Sequence, residues 1–416
     1  MMIKILTSFC LGCILFFFGT NSGIAQKNPK RLYIVDDRKD QIRLPFKLIN
    51  NIIVIQVQIN NSDTLNFILD TGITTTIIST NPVLPSLKYL KEYWVSGLGS
   101  GVKAHAQHSP ENEIRIQGVL GQHQDLLVME QDQLSFSNLL GIPIHGLIGY
   151  TLFKDFIVEI NYDERYLILH TPRKYTYKLN KKQVTIPLTF FDDKPCIDAI
   201  VIQQNGAKIP VTLLVDLGAS HSLWLNLLSH PLLQLPEKNA REYLGVGLNG
   251  PLSGRIGRLK KFAIGRFVFK NILANYPDTI SMGNAVRLDY RNGSIGAELL
   301  RRFNVIIDYR NQKLVLSPNN SIQQPFRYNM SGIEIETPKP GEPIYQISFI
   351  RKNSPADKAG LKAGDQITFI NGEPASIFTL TDITNIFLEK PGKKIRMRYI
   401  RNKEEMGTSF ILEEIF

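Results

Sequence analysis

The chain has 416 residues, a length at which one hydrophobic core usually gives way to two or three domains. Hydrophobic residues make up 43% of it and charged residues 20%, a globular composition that excludes wholesale disorder. The formal net charge of +11 is scattered and is not concentrated with aromatic residues, so we expect a solvated basic surface and no nucleic-acid partner.

The first 25 residues differ from the rest of the chain. A basic start precedes an apolar run from Ile5 to Phe18, and small residues end the segment at Ala25. This order predicts a signal peptide over residues 1–25 and an exported protein, periplasmic or secreted. A membrane anchor, for which the run is short, and lipidation at Cys13 are the alternatives. We expect no membrane span in the mature chain, which begins with an N-terminal segment over 26–44.

Cysteine and histidine usage restricts the chemistry. Removal of the predicted signal leaves Cys196 as the single cysteine, which excludes a disulfide framework. Cys196 lies in an apolar run without a histidine beside it, so we interpret it as a buried thiol and not a nucleophile. His105 and His108 lie outside any helix-borne metal motif, and we predict neither a metal nor another cofactor.

The chain contains a long-period internal repeat. Three landmarks recur in the same order and at nearly the same spacing: Phe67–Gly72 with Leu213–Gly218, Gly97–Gly99 with Gly245–Gly247, and Gly149–Tyr162 with Gly296–Tyr309. The first landmark is an apolar run followed by an aspartate and, two positions later, a glycine. The third aligns without gaps. We therefore predict two halves that share one fold.

The local pattern in both halves is that of short strands rich in β-branched residues and bounded by Asn, Asp, Gly and Pro. Helical periodicity is scarce, and short helices are predicted only at 149–155 and 296–302. We therefore predict a mainly β protein with one lobe over 45–172, an interlobe connection over 173–182 and a second lobe over 183–320.

One aspartate in each half, Asp70 and Asp216, follows a strand and precedes a glycine turn. This arrangement predicts two carboxyl groups that meet at a pseudo-twofold axis. Two carboxylates in one site cannot both ionise cheaply, so one pKa rises and the pair shares a proton. The ionised member can activate a water for attack on a peptide carbonyl, while the protonated member stabilises the developing oxyanion.

The two aspartate loops resemble the active-site loops of the pepsin and retropepsin clan of aspartic proteases, over most of residues 45–320. The family is a well-known case of two carboxylates that share one proton. The resemblance implies a two-lobed protease fold in which Asp70 and Asp216 are catalytic. It implies that four neighbours support the loops: Thr71, Gly72, Leu217 and Gly218. Leu217 departs from the usual Thr or Ser, whose hydroxyl braces the opposite loop, and this leaves full activity open.

The same family closes a glycine-rich hairpin, the flap, over bound peptide. The resemblance implies that Gly97–Gly101 forms a flap in the first lobe, in which Gly97, Leu98 and Gly99 contact substrate. It implies the same of Gly245 and Gly247 in the second lobe, which would make the cleft symmetric. An ordinary hairpin turn in the first lobe is the alternative.

Residues 326–416 resemble a bacterial PDZ domain, because Ser354–Gly372 has the pattern of a capped short helix, a Gly-Asp turn, a strand and an Asn-Gly hairpin. PDZ domains add an extended chain end to a sheet edge and receive its carboxylate on backbone amides. The resemblance implies that Met330, Gly332 and Ile333 bind a C-terminal peptide. The alternative is a module that packs on the protease as a structural cap.

Together these features predict an aspartic endopeptidase that acts as a monomer on polypeptide substrates, with a PDZ module for recruitment of substrate or partner. The alternative is a non-catalytic peptide-binding protein with a peptidase-like fold, which the unusual Leu217 motivates. The two hypotheses differ in whether a bound peptide is cut.

Overall fold

A computed structural model describes residues 30–79, 87–88, 91–95, 97–99, 104–129, 136–178, 180–282 and 290–416. Strands contain 50% of the residues and helices 10%, which confirms the predicted mainly β fold. The predicted signal peptide, residues 1–25, lies outside the described residues. In the described part of the chain, no helix has the length and apolar character needed to cross a membrane.

The first half of the chain forms twelve strands and two short helices. The strands are β1 (Leu32–Ile34), β2 (Gln41–Pro45), β3 (Lys47–Ile49), β4 (Ile52–Ile59), β5 (Leu65–Leu69), β6 (Thr76–Ser79), β7 (Lys91–Val95), β8 (Ala104–Ile116), β9 (Val119–Met129), β10 (Gly146–Ile148), β11 (Ile157–Asn161) and β12 (Tyr166–His170). The helices are α1 (Phe136–Leu140) and α2 (Tyr150–Phe153). Nine of these strands form one sheet, in the order β1-β9-β6-β10-β5-β4-β8-β7 with β3 paired to β4. Strands β1 and β2 lie within the predicted N-terminal segment 26–44 or at its end.

The second half repeats this arrangement. Its strands are β13 (Val184–Pro187), β14 (Thr189–Phe191), β15 (Lys194–Ile202), β16 (Lys208–Val215), β17 (Leu223–Leu225), β18 (Asn239–Gly247), β19 (Gly250–Ile264), β20 (Phe267–Pro277), β21 (Gly293–Ile295), β22 (Phe303–Asp308) and β23 (Lys313–Pro318). The helices are α3 (Thr279–Met282) and α4 (Ala297–Leu300), with a 3-10 turn at Leu227–Ser229. Eight of these strands form a sheet in the order β14-β15-β16-β21-β17-β20-β19-β18.

In each lobe a short strand is inserted between two others. Strand β10 runs parallel to β5 and antiparallel to β6, and β21 lies in the same way between β16 and β17. The amide of Asp70 donates to the carbonyl of Ile148 and the amide of Asp216 to that of Ile295, both at 2.9 Å. The end of each inserted strand therefore holds one aspartate loop, and the two loops occupy equivalent places.

A third sheet joins the lobes, with the strand order β13-β23-β22-β11-β12-β2. At its centre β11 and β22 are antiparallel, and Glu159 lies opposite Ile306. The gap-free alignment of Gly149–Tyr162 with Gly296–Tyr309 matches these same two residues. The local twofold axis therefore passes through this pair, and each lobe contributes three strands to the joint sheet.

Aromatic rings add to the junction between the lobes. Tyr309 is buried, and its ring stacks on that of Phe153 from the first lobe at a centroid distance of 5.3 Å. Phe190 lies 4.7 Å from the same ring. Such aromatic pairs contribute about 0.5–1.5 kcal/mol beyond the burial of their area. The two lobes therefore share one hydrophobic core.

The C-terminal region forms a separate sheet. Its elements are β24 (Ile333–Glu336), β25 (Tyr345–Ile350), α5 (Pro355–Lys358), β26 (Gln366–Ile370), β27 (Glu373–Pro374), a 3-10 turn (Ala375–Ile377), α6 (Leu380–Phe387), β28 (Lys394–Arg401) and β29 (Glu404–Ile411). The strand order is β24-β25-β26-β28-β29, with β27 paired to β26. The side chain of Ser354 caps α5 by accepting from the amide of Asp357, which confirms the predicted capped helix. Asn371 and Gly372 both have positive φ in the tight turn between β26 and β27, as the hairpin pattern predicted.

Candidate active site

The loops that carry Asp70 and Asp216 lie in van der Waals contact. A Cβ atom added to Gly218 would lie 2.6 Å from Oδ2 of Asp70, and one added to Gly72 would lie 3.0 Å from Oδ1 of Asp70 and 3.8 Å from Oδ1 of Asp216. Any side chain on Gly218 would displace the opposite carboxyl group, so glycine is required by this close approach. The repeat thus brings its two aspartates into one site.

Each carboxyl group is oriented by its own loop. The amide of Gly72 donates to Oδ1 of Asp70 at 2.7 Å, and the amide of Gly218 donates to Oδ1 of Asp216 at 3.1 Å. The same two-residue spacing makes the same bond in both lobes. The carboxyl groups therefore enter the site in equivalent orientations.

A single hydroxyl braces the two loops. Thr71 is buried; its Oγ1 donates to the carbonyl of Val215 at 2.5 Å and accepts from the amide of Leu217 at 3.0 Å. Leu217 has no hydroxyl to return the brace, and its side chain is fully buried in the shared core. Apolar packing therefore takes the place of the second brace.

Burial raises the pKa of both carboxyl groups. The pKa of Asp216 rises to about 7, mainly through desolvation and then through the charge of Asp70, while Arg291 and Lys194 oppose the rise. Desolvation also raises the pKa of Asp70, against the hydrogen bond from Gly72 and the charge of Lys194. At a pH between the usual pKa of a carboxyl group and neutrality, the raised pKa values favour a pair of carboxyl groups that holds a proton.

Two hairpins meet above the dyad. Each tip lies on a predicted flap, β7–β8 in the first lobe and β18–β19 in the second. The amide of Gly97 donates to Oδ1 of Asn249, and the amide of Asn249 donates to the carbonyl of Leu98 at 2.9 Å. The amide of Gly99 donates to the carbonyl of Ser281 at 2.9 Å. The tips are therefore bonded to each other across the cleft.

Glycines permit this contact between the tips. A Cβ on Gly247 would collide with the carbonyl of Leu98, and Gly245 has φ +112 at an irregularity in the pairing of β18 with β19. Residues 100 and 101 of the predicted first flap lie outside the described residues. Leu98 packs against apolar residues of the second lobe, and Leu248 packs against those of the first. Each flap thus places a leucine in the opposite half of the cleft.

A small pocket lies between the first flap and Asp216 of the dyad. Its lining combines both lobes: Leu98, Asp216, Trp224, Asn226, Met282, Arg291, Gly293 and Ser294. Trp224, Met282 and Arg291 were not predicted from the sequence, because nothing in their local pattern distinguishes them. The offset of the repeat was the one available signal, since it indicates which segment passes beneath the second aspartate.

The predicted carboxylate loop of the PDZ module uses its amides internally. The amide of Met330 donates to Phe387 O at 3.1 Å, the amide of Gly332 to Oδ1 of Asn329 at 3.3 Å, and the amide of Ile333 to Oγ of Ser331 at 3.0 Å. The three residues lie together, as the resemblance implies. Their donors are already engaged, so a ligand carboxylate would have to displace these bonds.

Strand β24 of the PDZ module ends beside the first lobe. The amide of Thr337, directly after β24, donates to Asn138 O of α1 at 2.9 Å, and the amide of Gly341 donates to Gly141 O at 3.0 Å. Helix α6 contacts the same lobe, because Oγ1 of Thr381 donates to Oδ1 of Asn50 at 3.1 Å. The edge at which a PDZ ligand would add is therefore close to a segment of this chain itself.

The module also contacts the second flap. Arg351 forms an ion pair with Glu242 of β18, and their side chains are only 8% and 10% exposed. Beside it, the rings of Tyr243 and Phe349 stack at a centroid distance of 5.6 Å. The module is thus attached to the strand that carries the flap tip.

Other chemically reactive residues lie away from the dyad or are held neutral. Cys196 is buried, and burial raises the pKa of its thiol to about 11. Burial lowers the pKa of His221 to about 4, and its Nε2 lies 3.1 Å from Oγ of Ser294. Neither group is in the charged form that nucleophilic or cationic catalysis needs.

Comparison with known families agrees with both resemblances. Residues 55–152 match the aspartyl protease family, from within β4 to α2, and this range includes Asp70 and the first flap. Residues 346–401 match the PDZ domain family, from β25 to β28. The chain therefore carries an aspartyl protease domain and a C-terminal PDZ domain. The second lobe, beyond the first match, is related to it by the internal repeat.

One curated relative has a short match. A stretch of 52 residues is 44% identical to a protein of Neisseria meningitidis serogroup A whose name describes a zinc metalloprotease. The stretch is 12% of this chain and 11% of that protein, so the chain spans about a tenth of its relative's length. Within the described residues, no three His, Cys, Asp or Glu side chains are grouped so as to hold a metal ion.

Proposed function

We propose that this protein is an aspartic endopeptidase. The observation that carries the proposal is the contact between the two aspartate loops, with Oδ2 of Asp70 only 2.6 Å from the position of a Cβ on Gly218. The raised pKa of Asp216, to about 7, supports a shared proton in mildly acidic solution. The family match over residues 55–152 supports the same chemistry.

The proposed reaction is hydrolysis of a peptide bond held between the flap tips and the dyad. The ionised carboxylate takes a proton from a water, whose oxygen attacks the carbonyl carbon, while the protonated carboxyl group donates to the carbonyl oxygen. The tetrahedral intermediate then collapses, the C–N bond breaks, and the leaving nitrogen takes up a proton. Since one chain supplies both aspartates, we propose that a monomer is active.

We propose that the PDZ module controls the second flap. Substrate entry requires separation of the tips, which are joined through Asn249. The buried pair between Arg351 and Glu242 ties the module to the same flap. The PDZ family match supports a second role, recruitment of a C-terminal peptide. The amides around Gly332 are already hydrogen-bonded within the module, which favours control of the flap over peptide recruitment.

Substitution of each aspartate tests the proposed function. Asp70→Asn and Asp216→Asn should each reduce cleavage of an unfolded polypeptide at pH 5–6 by at least about a thousandfold, because either change removes half of the acid–base pair. The control is Asp163→Asn, at an exposed turn, which should cleave at the wild-type rate. Circular dichroism verifies that the variants fold.

Two outcomes would contradict the proposal. Undiminished cleavage by either dyad variant would exclude the two-aspartate mechanism. Tight binding of peptides without cleavage by the wild type would favour the non-catalytic binding protein. Export is a separate proposal that rests on residues 1–25, and N-terminal sequencing of protein from the culture medium and periplasm tests it.

A further inference from the structure

The two halves of the cleft can be compared position by position, because their strands pair in the same register. Ile68 and Leu214 each lie two residues before an aspartate. They face Val54 in the first lobe and Cys196 in the second. The register thus identifies β4 with β15, and the residue two positions earlier in each strand is equivalent as well.

These equivalent positions differ in charge. Where the first lobe has Ile52, the second has Lys194. A second pair of equivalent positions lies two residues before the inserted strands β10 and β21. There the first lobe has the apolar Ile144 and the second has the cationic Arg291. Both isoleucines are buried in the apolar cluster of the first lobe, and both cations are only half-buried. The equivalent positions are therefore apolar and buried in the first lobe, and cationic and half-buried in the second.

The surroundings of Arg291 leave its charge available. It lines the pocket beside Asp216, whose pKa its charge lowers. The pocket has apolar walls from Trp224 and Met282, which are 6% and 4% exposed. Among the residues that the structure describes, no carboxylate lies within ion-pair distance of Arg291. A half-buried guanidinium that has no carboxylate partner among the described residues, in a pocket with apolar walls, is suited to bind an anionic group.

We propose that Arg291, assisted by Lys194, forms a subsite of the cleft that binds a carboxylate of the substrate next to the scissile bond. The corresponding side of the cleft in the first lobe, where Ile52 and Ile144 stand in place of the two cations, takes an apolar side chain. The inference rests on the proposed endopeptidase function and adds its substrate class: polypeptides with Asp or Glu on one side of the cut and an apolar residue on the other.

Occupation of this subsite also affects the dyad. Because the charge of Arg291 lowers the pKa of Asp216, a substrate carboxylate that neutralises this charge should raise that pKa further. A glutamate side chain is itself ionised above about pH 4.3. The preference for acidic substrates should therefore be largest near pH 5–7 and fade below pH 4.

Paired peptides test the proposal on the full mature chain. The peptides carry Glu or Gln at each position that flanks the cut, with an apolar residue on the other side, and kcat/KM is measured at pH 5.5. The wild type should cleave the Glu peptide about tenfold faster or more, the usual range for one charge-assisted hydrogen bond. Arg291→Met should bring the ratio close to one, and Arg291→Lys should restore part of it.

Arg310→Met is the matched control, because Arg310 is exposed, lies on a turn and does not line the pocket; it should keep the wild-type ratio. Thermal unfolding verifies that Arg291→Met folds. Cleavage of Glu and Gln peptides at equal rates by the wild type would overturn the subsite and leave the endopeptidase proposal intact. If the wild type cleaves nothing, the endopeptidase proposal fails, and equal affinity for the two peptides in fluorescence anisotropy would overturn the subsite.

A last comparison separates the two sources of a carboxylate. Peptides that end at the subsite are prepared with a free or an amidated C-terminus. A preference for the free terminus, lost in Arg291→Met, would support the subsite and assign it to chain ends. A preference for internal Glu over Gln, lost in the same variant, would support it and assign it to side chains.

Discussion

Replacement of Thr71 by valine removes the brace between the aspartate loops without changing the shape of the side chain. The hydroxyl makes two buried hydrogen bonds across the interface, to the carbonyl of Val215 at 2.5 Å and from the amide of Leu217 at 3.0 Å. A buried donor or acceptor that loses its partner costs about 1–3 kcal/mol. We therefore expect Thr71→Val to lower the free energy of unfolding by about 3 kcal/mol.

Urea denaturation followed by tryptophan fluorescence measures this loss. The chain has two tryptophans; Trp224 is buried in the second lobe beside the dyad, and Trp94 is 67% exposed, so the signal change reports mainly on the second lobe. Activity should fall as well, by about tenfold or more in kcat, since the carboxyl groups depend on the loops for their alignment.

Thr76→Val is the matched control, because Thr76 is equally buried and its hydroxyl donates to Oγ1 of Thr151, within the first lobe, at 3.0 Å. It should cost about 1 kcal/mol and leave kcat unchanged. If Thr71→Val matched this control in both free energy of unfolding and kcat, the Thr71 hydroxyl would not brace the two loops.

Three further changes test the dyad and the flap. The pKa of Asp216 is about 7 in the folded chain and about 3.8 in the unfolded chain, so ionisation of this carboxyl group lowers the wild-type free energy of unfolding as the pH rises from about 4 to 7. Asp216→Asn has no such group. Its free energy of unfolding, measured by chemical denaturation, should therefore rise relative to that of the wild type by up to about 4 kcal/mol between pH 4 and pH 8. Arg351→Met leaves Glu242 buried and unpaired, so it should cost about 3 kcal/mol and speed hydrogen exchange in β18 and β19. Gly218→Ala should abolish activity because its Cβ would strike the opposite carboxyl group, whereas Gly407→Ala, with neighbours no closer than 3.8 Å, should be silent in the same cleavage assay.

Much of the architecture was predictable because its causes are local. An apolar run that ends in an aspartate and a glycine is typical of a strand followed by a tight turn, and its recurrence in the second half predicts two equivalent lobes. The same holds for the Ser354 cap and the Asn371-Gly372 turn, which residues a few positions apart establish. A gap-free repeat of 14 residues even identifies the pair on the twofold axis, once the strands are known to meet.

The cationic subsite was not predictable, because its residues come from separate strands. Lys194 and Arg291 are 97 positions apart in the chain, and only the tertiary structure brings the charges of both side chains close to Asp216. The closed PDZ loop was hidden for a related reason. The backbone amide of Gly332 is engaged because the side-chain Oδ1 of Asn329 points at it, and the packing of the module sets that orientation.

The amino-acid order alone thus accounts for the lobes, the two aspartate loops and the C-terminal module, since each is a short-range pattern that a few neighbouring residues specify. Only the tertiary structure decides which side chains surround these parts. It determines which cations lie near the dyad, which leucine each flap places in the opposite lobe, and that Arg351 contacts Glu242. Such contacts join residues far apart in the chain, and their energy depends on the burial and distance that sheet register and lobe packing create.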